Sequence, residues 1–122
     1  MAEAVHLNHC VRIYCPSTTN IDTQASATLT KHYVDLALSQ FSAQFGGATA
    51  YNARGAWLSP TTNALVTEDV TIVESFCDSD SFARGRQSIM DLAHRIKNEL
   101  AQDAVSVQFD LPDRAQSGLY LV

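Results

Sequence analysis

The stretch Thr67-Glu68-Asp69-Val70-Thr71-Ile72-Val73 places two adjacent acidic residues inside a run of β-branched residues. Because β-branched side chains favour strands, this stretch predicts the middle of one long strand over residues 65–76. A carboxylate buried in such a strand without a partner would cost several kcal/mol or lose its charge. The two acids therefore mark either an exposed end of the strand or the border of a binding cleft.

The sequence on either side of the long strand predicts further strands and two helices. Alternating apolar residues, as in residues 11–15, predict strands, whereas apolar residues three and four apart predict helices. The predicted strands cover residues 11–15, 48–58, 65–76, 104–111 and 119–122, and the predicted helices cover residues 28–45 and about 78–101. The order β-α-β-β-α-β predicts an α+β fold, a ferredoxin-like sandwich with both helices on one face of an antiparallel sheet.

The opposite face of the predicted sheet has no element to cover it. A bare apolar sheet face favours association, and closed homo-oligomers are the common form that this association takes. We therefore expect residues 1–122 to form a single domain that assembles with copies of itself.

Composition argues against several classes of partner. The net charge is −5, and the eight Lys and Arg residues are scattered, whereas nucleic acid and anionic membranes require a basic surface. No apolar run is long enough to span a membrane. Three cysteines, an odd number, and an N-terminus without the pattern of a secretory leader predict free thiols in a reducing, cytoplasmic environment.

Four residues near the N-terminus, His6, His9, Cys10 and Cys15, are of types that bind zinc. Their spacing matches no known zinc motif, and alternation along a strand would split the set between two faces. We therefore expect no metal site.

Glu68 and Asp69 are neighbours on one strand, so their side chains point to opposite faces of the sheet. Glu68 shares its face with Val70, and Asp69 shares the opposite face with Thr71. The two acids cannot form a catalytic dyad, and the sequence leaves open which of them faces a cleft. The turn that follows the preceding strand predicts that Trp57 lies across the hairpin from residues near Glu68.

Three segments of the chain are distinctive in combination. They are Gly55-Ala56-Trp57, the acidic stretch quoted above, and Asn98-Glu99-Leu100-Ala101-Gln102-Asp103-Ala104-Val105-Ser106-Val107. Together, over roughly residues 46–109, they resemble the recurrent segments of phage-encoded S-adenosylmethionine (SAM) lyases. These proteins look like trimeric relatives of the PII signalling superfamily, so the resemblance implies a PII-like trimer.

The resemblance implies an intramolecular displacement within SAM, the small-molecule substrate. The carboxylate of its methionyl part attacks the γ-carbon, which expels 5′-methylthioadenosine and leaves homoserine lactone. Such a displacement requires no enzymic nucleophile, metal or other cofactor. Because a sulfonium is a permanent cation, a protein holds it with negative charge, carbonyl dipoles or an aromatic face.

The candidate site residues follow from this chemistry and from the matching segments. Glu68 or Asp69 would be the catalytic carboxylate that orients the substrate. The candidate substrate-binding residues are Trp57, Gln102, Thr71, Tyr51, Ser17 and Thr18.

Two departures from the family pattern leave the substrate open. Tyrosine is usual where Trp57 stands, and glutamate is usual where Asp69 stands. The chain would therefore also suit a lyase for the conjugate of SAM with AMP, a signalling nucleotide of some type III CRISPR systems, with Arg12 or Arg54 near its phosphate. Two non-catalytic functions are compatible with the same sequence: a PII-like sensor that binds an adenosyl ligand without turnover, and a ferredoxin-like interaction module without a ligand.

Overall fold

The computed structural model describes residues 3–19, 23–24 and 27–122 of the chain. Along this part of the chain the strands and helices are β1 (His9–Pro16), β2 (Thr18–Thr19), β3 (Thr23–Gln24), α1 (Ala27–Phe45), β4 (Thr49–Leu58), β5 (Leu65–Cys77), α2 (Ser79–Glu99), β6 (Ser106–Asp110) and β7 (Gly118–Leu121). The larger sheet has the strand order β4-β5-β1-β6-β7, and β2 pairs with β3 in a second, two-stranded sheet.

Every neighbouring pair of strands in the larger sheet is antiparallel. The two central strands, β5 and β1, are flanked by β4 on one side and β6 on the other, which is the order of a split β-α-β sandwich. The ferredoxin-like α+β prediction is confirmed, and the predicted short last strand is β7, paired with β6 at the sheet edge.

One face of the sheet carries the core. Val11, Ile13 and Cys15 of β1 are buried with Val73 of β5. They pack with Tyr33, Ala37 and Phe41 of α1 and with Ile89, Leu92 and Ile96 of α2. Alternation along the strands gives the core face and the face away from the helices, which we call the open face, strictly separate sets of side chains.

The open face is apolar in places and exposed. Register places Phe76 of β5 and Leu119 and Leu121 of β7 on it, since they pair with Cys10, Gln108 and Ser106 respectively. All three apolar side chains are more than half exposed. In the part of the chain that the structure describes, no helix is long and apolar enough to cross a membrane.

The ends of α2 are fixed by local hydrogen bonds. The carboxylate of Asp78, the N-cap residue, accepts a bond from the backbone N–H of Ser81 at 2.8 Å. At the C-terminal end, the N–H of Gln102 donates to the carbonyl of Lys97 at 2.9 Å, and Ala101 has the left-handed φ of 50°. This is the Schellman pattern, and it ends the helix at Glu99, slightly before the predicted end.

Candidate functional site

The register of the β4–β5 hairpin decides which acid faces which way. Gly55 pairs with Glu68 and Trp57 with Val66, so Glu68 and Trp57 both lie on the open face. The prediction that Trp57 lies across the hairpin from the residues near Glu68 is confirmed. Asp69 pairs with Arg54 and points to the opposite face, where both residues are exposed.

A pocket lies on the open face, where β1 and β4 end and β5 and β6 begin. It consists of two adjoining cavities of about 270 and 240 Å³ that share Trp57, Glu68, Gln102 and Ala104. We refer to the two together as the sheet-end pocket. Its remaining lining residues are Tyr14, Pro16, Ala53, Arg54, Gly55, Ala56, Val70, Asp103, Val105 and Ser106.

Three of the residues singled out from the sequence therefore meet in one place. Trp57 comes from β4, Glu68 from β5, and Gln102 from the turn after α2. Trp57 is the only tryptophan of the chain, and its side chain is 41% exposed, so its ring is open to a ligand as well as to the pocket wall. The pocket thus combines an aromatic face with a carboxylate and a primary amide.

The turn after α2 brings Gln102 to the pocket. The Schellman bond reverses the chain direction directly after the helix, and the Gln102 side-chain Nε2 donates to the carbonyl oxygen of Leu100 at 3.3 Å. Leu100 is fully buried in the core. The position of Gln102 is therefore tied to the packing of the last turn of α2.

Space beside Glu68 depends on the residue across the hairpin. Gly55 has no side chain, and a Cβ atom there would lie 3.8 Å from Cγ of Glu68, an ordinary van der Waals contact. A larger side chain at position 55 would extend into the sheet-end pocket, which Gly55 itself lines. The glycine of the Gly55-Ala56-Trp57 segment therefore keeps this part of the pocket open.

A polar network continues along the open face from the pocket. Arg12 donates to the carboxylates of Glu74 at 2.5 Å and Asp110 at 2.8 Å, and the Tyr51 hydroxyl donates to Glu74 at 3.2 Å. Burial and the neighbouring Glu74 carboxylate raise the pKa of Tyr51. Tyr51 is thus on the open face but hydrogen-bonded to this network, outside the described lining of the pocket.

The remaining predicted site residues lie elsewhere. Thr71 is on the core face, where its hydroxyl is 3.3 Å from Oδ1 of Asn52. Ser17 is buried directly after β1. The pocket lining includes the preceding residue, Pro16, but not Ser17. The backbone of Thr18 forms β2, but the Thr18 side chain lies outside the described part of the structure.

The lining residues outside the set of predicted site residues include Tyr14 and Asp103, and both had a signal in the sequence. Tyr14 follows Arg12 by two positions on β1, on the face opposite the buried residues, and its hydroxyl donates to Oε1 of Gln108 at 2.7 Å. Asp103 follows Gln102 directly in the resembling segment and lines the smaller cavity. Strand parity pointed to Tyr14 once the covered face was known, and adjacency pointed to Asp103.

The cysteines lie within the fold as free, buried thiols. Burial raises the pKa of Cys10 and Cys77 to about 11 and that of Cys15 to about 12, so all three are protonated at neutral pH. Cys10 and Cys15 lie on opposite faces of β1. Among the described residues, no group of three or more His, Cys, Asp or Glu side chains is placed to hold a metal ion.

The strand order and the placement of both described helices on one face define an antiparallel α+β protein of the ferredoxin-like class. Within that class, the structure is similar to a phage SAM lyase in complex with S-methyl-5′-thioadenosine. The TM-score is 0.67 at 14% sequence identity, over 100% of this chain and 94% of the lyase chain.

A structure of phage SAM lyase in the apo state is also similar, with a TM-score of 0.67, 16% identity and the same coverage. At these identities the comparison shows a shared fold, and it is the fold of the family that the three sequence segments resemble. No protein-family model matches the sequence, and a comparison with curated proteins finds no match.

Proposed function

We propose that this protein is a lyase that cleaves SAM to 5′-methylthioadenosine and homoserine lactone. The observation that carries the proposal is the meeting of Trp57, Glu68 and Gln102 in the sheet-end pocket. The shared fold with phage SAM lyase supports it. The consequence for a phage-type protein in the cytoplasm would be depletion of the methyl donor, an anti-restriction role.

The lining of the pocket suits a sulfonium compound. The face of the Trp57 ring attracts a cation, and the Glu68 carboxylate supplies the negative charge that a sulfonium, which has no N–H to donate, requires. The two groups come from neighbouring strands and lie diagonally across the hairpin, since Trp57 pairs with Val66, two residues before Glu68. Gln102 offers both a donor and an acceptor for the ribose or amino acid part of the substrate.

The chemistry would require little of the protein beyond geometry. One substrate carboxylate oxygen forms a bond to the γ-carbon, the bond from that carbon to sulfur breaks, and the sulfur keeps the electron pair. A substrate held in this attack geometry reacts faster, because the entropy of bringing the carboxylate to the γ-carbon is lost on binding and not in the reaction step. Removing water from the substrate carboxylate helps as well, because opposite charges cancel in the transition state.

We assign Glu68 an orienting role. A carboxylate stabilises the sulfonium of the ground state at least as well as the partly neutralised sulfur of the transition state, so its charge alone does not accelerate the step. Glu68 would instead fix the substrate through the sulfonium together with the ammonium or a ribose hydroxyl. Asp69 is not part of this assignment, because its side chain points to the opposite face of the sheet.

A second substrate concerns the cations near the pocket. Arg54 lines the pocket, but its side chain points with that of Asp69 to the opposite face, whereas Arg12 lies on the open face. The SAM–AMP conjugate carries a phosphate, which an arginine on the open face could bind. We therefore retain the conjugate as the alternative substrate of the same displacement. Its products would be homoserine lactone and the AMP conjugate of methylthioadenosine.

The first experiment is to incubate the pure protein separately with SAM and with its AMP conjugate and to separate the products by chromatography. Methylthioadenosine from SAM supports the proposal, and turnover of the conjugate alone supports the second substrate. Unchanged substrates in both samples would contradict a lyase. Thermal stabilisation by an adenosyl ligand would then indicate a sensor, and no stabilisation would indicate an interaction module.

Glu68→Gln tests the assignment of the carboxylate. We expect kcat/KM to fall about 10- to 100-fold, with kcat falling too, because the loss of a charged contact also loosens the attack geometry. Asp69→Asn is the matched control, since it makes the same kind of change one residue away on the opposite face. Wild-type rates for both variants would refute the role of Glu68.

A further inference from the structure

The segment Asn98-Glu99 precedes the turn that carries Gln102, and Glu99 contacts the first of the two described helices. The hydroxyl of Tyr33, on α1, donates a hydrogen bond to Oε2 of Glu99. Arg95, one turn earlier on α2, donates from Nε to Oε1 of the same carboxylate at 3.0 Å. Both oxygens of Glu99 are therefore engaged, one by each helix.

Burial of Tyr33 and the charge on Glu99 stabilise the hydrogen bond between these two residues. Tyr33 is 5% exposed and belongs to the core, so its ring cannot move without disturbing α1 and β1. The hydrogen bond from Tyr33 and the contact with Arg95 lower the pKa of Glu99, so the acceptor is ionised at neutral pH. Burial and the bond to Glu99 raise the pKa of Tyr33 to about 12, so the donor keeps its proton.

The turn that follows Glu99 needs such support. Ala101 adopts the left-handed conformation that usually belongs to glycine, with a φ of 50°. A residue persists in this conformation where the surrounding structure holds it there. Its neighbours on either side are Leu100, which is fully buried, and Gln102, which lines the sheet-end pocket.

We propose that Tyr33 and Glu99 are positioning residues for Gln102: their hydrogen bond fixes the end of α2 so that the strained turn directs Gln102 into the sheet-end pocket. Neither residue is among the described lining of the pocket, and both act through Gln102. That Gln102 then contacts substrate rests on the proposed function.

The test uses two variants of α1 that each remove one hydrogen bond to α2. Tyr33→Phe removes the hydroxyl and keeps the ring. Gln40→Met, the control, removes the bond from Nε2 of Gln40 to the carbonyl of Ser88 at 2.9 Å, which lies far along α2 from the turn. Two readouts apply: amide hydrogen exchange at Ala101 and Gln102, and the Kd for 5′-methylthioadenosine from Trp57 fluorescence.

We expect Tyr33→Phe to accelerate exchange of the Ala101 and Gln102 amides and to weaken methylthioadenosine binding, each by about tenfold. Gln40→Met should lower the melting temperature without either effect. Equal effects of the two variants, or unchanged exchange in Tyr33→Phe, would overturn the proposal. Failure of the wild-type protein to bind methylthioadenosine or SAM would count against the proposed function, while amide exchange would still decide the positioning role.

A second pair of variants covers the case in which Tyr33→Phe fails to fold. Glu99 is at the surface, where substitution is tolerated, so Glu99→Gln and Glu99→Leu should both fold. Glu99→Gln retains an oxygen that accepts from Tyr33 and should keep most of the wild-type protection at Gln102, whereas Glu99→Leu should lose it. The same exchange rate in both variants would overturn the proposal.

Discussion

At the scale of single residues, backbone conformation decides how the side chains of Glu68 and Gln102 reach the pocket. Glu68 reaches the pocket because of strand parity, and Gln102 reaches it because Ala101 turns the chain in the left-handed region. The period of two was available from the sequence and separates Glu68 from Asp69, whereas the face that the helices leave open was not. The turn at Ala101 depends on a conformation that alanine rarely adopts, and nothing local in the sequence predicted it.

Ala101→Gly should stabilise the protein, since glycine adopts a positive φ without steric cost. We expect a gain of about 1 kcal/mol and a rise in melting temperature of about 4 °C in calorimetry. Ala83→Gly is the control: position 83 is an exposed site within α2, where the same substitution should cost about 1 kcal/mol. A lower melting temperature for Ala101→Gly would show that the turn is not strained.

At the scale of elements, α1 and α2 pack closely at Gly85. A Cβ atom there would lie 2.8 Å from Cε1 and Cζ of the Phe45 ring and 3.2 Å from Oε1 of Gln44. The absence of a side chain at Gly85 therefore sets how near the helices approach. Near the other end of the same helix pair, Tyr33 of α1 donates its hydrogen bond to Glu99 of α2.

Gly85→Ala should destabilise the protein despite the better helix propensity of alanine. The propensity gain is about 1 kcal/mol, whereas overpacking costs about 1–3 kcal/mol, so we expect a net loss of about 1 kcal/mol in denaturant unfolding. Adding Phe45→Leu to Gly85→Ala should recover part of the loss relative to Phe45→Leu alone. An unchanged or higher stability for Gly85→Ala would show that the Phe45 ring moves aside at little cost.

At the scale of the whole molecule, the open face combines a binding pocket with exposed apolar side chains. Phe76, Leu119 and Leu121 are exposed beside the polar network of Arg12 and Glu74. Natural surfaces seldom leave such a face to solvent. We propose that copies of this chain cover it, as a trimer if the family resemblance extends to assembly, and that the sheet-end pocket then lies beside a neighbouring copy.

A double variant tests this assembly. Phe76→Glu with Leu121→Glu places charge on the open face, and we expect light scattering to show a wild-type oligomer and a variant monomer. Leu65→Glu is the control: its side chain is 64% exposed but points to the opposite face of the β4–β5 hairpin. A monomeric wild-type protein would contradict the proposal.

The sequence by itself determined the order of the elements, the ferredoxin-like fold, and the fact that Glu68 and Asp69 point to opposite faces. These features follow from local periods of two and of three to four, which any short window of the chain contains. Only the tertiary structure decided which acid faces the pocket, because that depends on which sheet face the helices cover. It also decided that Gln102 meets Glu68 and that Tyr33 meets Glu99, because packing and long-range register, rather than local pattern, bring distant residues together.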